Sequence, residues 1–118
     1  MFEPRTRVPH FVVTAVDGQV VDYRSIWQKA NLLLVCLDES EAARPLAGIA
    51  AELIGRESEF ESLQARLVVT GDAIVSIPRP GVVIADRWSE IHATLDAAAV
   101  SDANDLLEWL RFIERRCG

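Results

Sequence analysis

Leu32-Leu33-Leu34-Val35-Cys36-Leu37, followed at once by Asp38-Glu39-Ser40, is the stretch on which the fold turns. An uninterrupted apolar run shows no inside–outside alternation, so it predicts a strand covered on both faces and central in its sheet. It is far shorter than the roughly 20 residues that span a bilayer. The polar Asp38-Glu39-Ser40 loop predicts a cap for a helix that follows directly. In that helix Leu46, Ile49, Ala50, Leu53 and Ile54 recur at helical spacing and form one apolar stripe. Pro45 suits the first turn, where no backbone donor is required, and Gly55 suits the stop. Phe60 and Leu63 predict a second short helical piece, and Leu67–Thr70 reads as the next strand. Strand, helix, strand in this order predicts a parallel pair.

Working outward, Phe11–Val16 and Gln19–Tyr23 are β-rich runs flanking Asp17-Gly18, a pair that predicts a hairpin with a two-residue turn. Ser25–Ala30 predicts a helical turn with Trp27 packed against the sheet. Past Thr70, the Pro-rich Ile77-Pro78-Arg79-Pro80-Gly81 leads to a strand at Val82–Ala85. Asp86–Glu90 reads as a turn into a strand at Ile91–Leu95, with His92 facing outward. Ala97–Val100 reads as a linker. Ser101 or Asp102 then caps a last helix that buries Leu106, Leu107, Leu110 and Ile113, flanked by Trp109 and Phe112. The expected fold is α/β: one domain over residues 1–118, with a mixed β-sheet, helices on its faces and an N-terminal β-hairpin.

Composition agrees with a globular chain. Half of the 118 residues are hydrophobic and a quarter are charged. A chain this long buries roughly two-thirds of its unfolded surface, enough for a core without metal or disulfide staples. The net charge of −6 and the absence of a Lys/Arg block argue against nucleic acid or an anionic membrane as partner. Met1–His10 holds no apolar segment of the secretory type, so a cytoplasmic location is expected. The two cysteines, Cys36 and Cys117, form no CxxC and are expected to stay as thiols there.

Several fragments together resemble the thioredoxin-like superfamily, and within it the peroxiredoxin-like redoxins. Val8-Pro9-His10-Phe11 with Val16-Asp17-Gly18-Gln19-Val20-Val21 is similar to the "P-x-F-x-L-x-D-x-x-G-x-x-V" opening of redoxins. Tyr23-Arg24-Ser25-Ile26-Trp27 resembles the segment before their first core strand. Val82-Val83-Ile84-Ala85-Asp86-Arg87-Trp88-Ser89-Glu90-Ile91 resembles their later hairpin. The resemblance covers about residues 9–116 and implies a thioredoxin-like mixed sheet. It also implies a cis-proline facing the active site, for which Pro80 holds the matching place and Pro78 is the weaker candidate. X–Pro bonds are the ones where the cis form is energetically accessible.

The chain departs from that pattern where the chemistry sits. Redoxins carry CxxC, or a lone peroxidatic cysteine, between the first core strand and its helix. Here the sequence reads Asp38-Glu39-Ser40-Glu41-Ala42-Ala43-Arg44-Pro45. Glu41 and Arg44 stand roughly where the CxxC cysteines would, and neither can form a mixed disulfide. The active-site-equivalent positions are therefore Ser40, Glu41, Arg44 and Pro80, without a thiolate at the helix start. The helix of thioredoxin between the strands ending at Thr70 and starting at Gly81 is missing. The ten or so residues there reach about 33 Å, ample for the roughly 10 Å needed to cross one strand. Ile74, Val75 and Ile77 would then form an exposed apolar patch and a natural partner surface.

Two functional expectations follow. In the first, the chain is a catalytically inactive binding or assembly module, with a protein partner or a second copy of itself on an apolar sheet face. In the second, it is an oxidoreductase that uses one thiol, Cys36 or Cys117. Cys36, inside an apolar strand, reads as a small buried hydrophobe with a raised pKa. Arg115 and Arg116 would favour the thiolate of Cys117. Glu39 and Glu41 read as charges suited to a helix start. No cofactor is expected. His10 and His92 share no metal-ligand spacing with each other or with the cysteines. Trp88, at a turn, is the tryptophan expected to be exposed.

Overall fold

A computed structural model describes residues 6–117, the Cys117 side chain excepted. The chain runs β1 (Val12–Thr14), β2 (Val20–Asp22), β3 (Asn31–Cys36), α1 (Arg44–Ile54), α2 (Glu57–Ser62), β4 (Ala65–Thr70), β5 (Gly81–Ala85), β6 (Ile91–Asp96) and α3 (Ala103–Cys117), with short 3-10 turns between some of them. The main sheet has the order β4-β3-β5-β6, and β1-β2 form a separate hairpin. The β3–β4 pair is parallel, while β5 lies antiparallel to both β3 and β6.

Every residue of β3 is buried, as a doubly covered strand requires. Leu33 and Val35 face α1 and α3, joining Leu46, Leu53, Leu106, Leu107 and Leu110. Leu32, Leu34 and Cys36 face the other way, toward Val13, Val21, Tyr23 and Ile26 of the hairpin side. Two cores thus share one strand. Each fully buried leucine removes enough apolar surface from water to contribute about 1.5–3 kcal/mol. Asp102 is the residue that caps α3: its Oδ1 accepts the Asp105 N–H at 3.0 Å.

Local expectations fail where the chain answers to tertiary partners. The hairpin turn is a three-residue loop, Val16-Asp17-Gly18, in which only Gly18 has positive φ (+89°). Gly18 N–H donates to Ala15 O, while Val16 N–H leaves the hairpin and donates to Val69 O on the edge of β4. The helical turn falls at Tyr23–Ser25, earlier than expected. Residues three apart eclipse in 3-10 geometry, so Tyr23 and Ile26 go inward together and Trp27 is left 46% exposed instead of packed on the sheet. Ile54 lies at the solvent edge of the α1 stripe and is exposed.

The expected apolar patch beyond Thr70 does not form. Ile74 is buried and Ile77 half-buried against the hairpin-side core, and only Val75 projects, 83% exposed. The segment is tied to the hairpin by Thr14 N–H donating to Asp72 Oδ2 and by Thr70 Oγ1 donating to Thr14 O, each at 2.8 Å. No helix among the described residues is long and apolar enough to cross a membrane.

Candidate functional site

The register of the sheet places the ends of β3 and β4 beside the start of β5: Cys36 lies opposite both Thr70 and Gly81. The Asp38 loop, Gly71 and the Pro78–Pro80 segment converge on this end, which we call the mouth. The Arg79–Pro80 peptide is cis. Gly81 is required here by close approach, since a Cβ at this position would stand 2.9 Å from Leu95 O and 3.1 Å from Pro78 O. Pro80 O accepts the Ala97 N–H at 3.2 Å, fixing the turn after β6 beside the mouth.

A cleft of about 380 Å³ opens there, lined by Leu37, Asp38, Glu39, Gly71 and Arg79. Asp38 Oδ1 accepts the Ser40 backbone N–H at 2.9 Å and also the Ser40 hydroxyl. These bonds hold the Asp38 carboxyl below the usual carboxylate range, with the Arg79 guanidinium acting in the same direction. Arg79 Nη1 donates to Gly71 O. The mouth therefore offers two carboxylates and a guanidinium, with no sulfur among the residues that line it.

Asp38 organises its own turn and does not cap a helix. Ser40 and Ala43, the N-cap positions of the 3-10 turn Glu41–Ala43 and of α1, make no side-chain cap bond. Of the sequence-derived site residues, Ser40 is brought onto Asp38 and Pro80 sits next to Arg79. Glu41 and Arg44 are exposed and do not line the cleft. Arg79 was missed by sequence reasoning; its signal is its place immediately before the candidate cis-proline.

Cys36 ends β3 directly behind the mouth but is 1% exposed. Burial pushes its thiol up to about 11, against a weaker opposing pull from Arg79. A thiol in that state is neither thiolate nor accessible at neutral pH. The side chain of Cys117 lies outside the described residues. Its backbone ends α3, three residues beyond Glu114, whose Oε2 accepts from Asn31 at the first residue of β3, the end of the sheet opposite the mouth.

His92 departs from its expected outward place. It is the extra residue of a β-bulge, between Ile91 paired to Ala85 and Ala93 paired to Ile84. A bulge re-aims the side chain it carries, and His92 Nε2 comes to 3.0 Å from Asp86 Oδ2. With Glu90, these residues bring three potential metal donors within 4.8 Å of one another. The Asp86 carboxylate is already committed to the hairpin turn, its Oδ1 accepting the backbone N–H groups of Trp88 and Glu90. The cluster works as a turn clamp. Trp88 is exposed, as expected.

No family model and no curated protein matches the chain. Solved structures do. A reduced 2-Cys peroxiredoxin from Plasmodium vivax superposes with a TM-score of 0.69 at 13% identity, over 92% of this chain and 80% of that one. A thiol:disulfide interchange protein DsbE from Chlorobium tepidum gives 0.65 at 10% identity, over 97% and 99%. The thioredoxin domain of a thiol-disulfide oxidoreductase from Bacteroides vulgatus gives 0.62 at 11%, over 96% and 99%. Likeness at such identities speaks for the architecture alone. The chain has a thioredoxin-like fold, with only two cysteines in its sequence.

Proposed function

We propose that this chain is a redoxin-fold domain that carries out no thiol chemistry and acts as a binding module. Disulfide exchange needs a thiolate that can reach a second sulfur. The observation that carries the reading is the state of Cys36: the one cysteine next to the mouth is 1% exposed, and burial holds its thiol protonated at neutral pH. The groups that do line the mouth, Asp38, Glu39 and Arg79, are suited to hydrogen bonding and charge pairing.

The test is peroxide reduction and insulin-disulfide reduction, each with dithiothreitol as electron donor, by wild type, Cys36→Ser and Cys117→Ser. The expected result is no turnover above the dithiothreitol blank in any of the three. Turnover that disappears in one Cys→Ser variant would overturn the proposal and establish the single-thiol alternative for that residue.

A further inference from the structure

We propose that a second cleft, at the end of the sheet opposite the mouth, binds a small organic anion with a flat ring, of the aromatic carboxylate class. This inference stands independently of the thiol-free reading, because the cleft shares no residue with the mouth. It measures about 340 Å³, within the roughly 300–1,000 Å³ of small-molecule sites. Its walls are Arg7, His10, Tyr23, Arg24, Trp27 and Ser89 together with Val8.

Two features define the ligand. The first is charge. In a chain of net charge −6, this lining contains two arginines and a histidine and no carboxylate. Asp22, beside the cleft, takes up Arg24 at 3.1 Å and lies 2.9 Å from His10 Nε2. Arg7 is anchored differently: its Nη1 donates to the Trp88 backbone carbonyl at 3.0 Å. That bond fixes where the guanidinium stands at the rim. A planar guanidinium suits a carboxylate better than a point charge does.

The second feature is aromatic surface. Trp27 lines the cleft with nearly half of its surface in water. Tyr23 lies behind it, buried and stacked on Phe11 with ring centroids 5.3 Å apart, so the back of the cleft is fixed before any ligand arrives. A flat ring gains contact on Trp27, and a fixed wall behind it loses little freedom on binding.

The experiment titrates the intact chain with 2-naphthoate, its uncharged amide 2-naphthamide, and acetate, followed by 1H–15N chemical shifts. Saturable shifts centred on the Trp27 indole N–H and the Ser89 amide are expected with 2-naphthoate. Naphthamide and acetate should each bind at least tenfold more weakly. Arg7→Gln should weaken 2-naphthoate about tenfold, about 1.4 kcal/mol, and leave naphthamide unchanged, whereas Trp27→Ala should weaken both. Arg7 and Trp27 are exposed, and an unchanged spectrum elsewhere verifies folding of each variant. Equal affinity for acid and amide, shifts centred outside the cleft, or no saturation would overturn the proposal. So would tighter binding of the acidic peptide Glu-Trp-Glu than of 2-naphthoate.

Discussion

The two ends of the central sheet are built on different principles. At the mouth, Asp38 and Arg79, which line the cleft, bond within their own loops, to Ser40 and to Gly71. At the opposite end, polar groups are drawn inside and cross-link distant elements. Asn31, fully buried at the start of β3, donates to Leu63 O and to Glu114 Oε2 and accepts the Arg87 N–H. Arg87 Nη2 pairs with Glu114 at 2.8 Å, both side chains 19% exposed. The network at this opposite end holds α3, β3 and the β5–β6 hairpin together.

Glu114→Ala should break this comparison most forcefully. It removes one acceptor from each of Asn31 and Arg87 and leaves the Arg87 guanidinium without its carboxylate, bonded, among the described residues, only to Gln64 Oε1 at 3.3 Å. Removing one partner of a buried pair costs about 3–5 kcal/mol, and partial exposure places this one near the lower bound. Urea unfolding should show a loss of about 3 kcal/mol, with Tm lower by roughly 10–15 °C. Glu114→Gln, which keeps an acceptor for Asn31, should lose less. A loss below about 1 kcal/mol for the alanine variant would mean that the base network is not what fastens α3.

Cys36 sharpens the comparison from the mouth side. Its folded pKa of about 11 stands above the ordinary 9.0. A raised pKa means that the folded state keeps the proton longer than the unfolded chain does. The contribution is complete below pH 9 and lost as pH rises toward 11. The shift corresponds to roughly 2–3 kcal/mol. Unfolding free energy measured between pH 8 and 11 should fall by that amount in wild type and less in Cys36→Ala. In native protein at pH 8, Cys36 should react with 5,5′-dithiobis(2-nitrobenzoate) only at the rate of unfolding.

What the sequence made legible follows the same division. β3, the α1 stripe at Leu46, Ala50 and Leu53, and the α3 stripe could be read because burial imposes a period on residue type. Cys36 could be placed for the same reason. The missing mouth thiol was visible as an absence of atoms, which needs no alignment to establish. Trp27, His92 and the patch at Ile74 and Ile77 were misplaced because contacts remote in sequence decided them. A 3-10 turn, a bulge and the docking of the hairpin on β4 turned side chains that local pattern had aimed elsewhere. Arg79 and the base network went unread because an exposed-looking Arg, Asn or Glu carries no periodic signal of its partner.

The smallest expected effect bears on the mouth directly. Glu41 and Arg44, which the sequence resemblance sets against the cysteines of CxxC, are both exposed and neither lines the cleft. Among the described residues no cap bond from Ser40 or Ala43 holds the α1 entry, which relies instead on Pro45 in the first turn and on the buried Ala43 and Leu46. Glu41→Ala and Arg44→Ala should each change stability by no more than about 0.5 kcal/mol. The double variant should equal their sum, since an interaction between the two would show as non-additivity. Urea unfolding of the three proteins measures this. Larger or coupled effects would mean that these positions hold the helix entry in place.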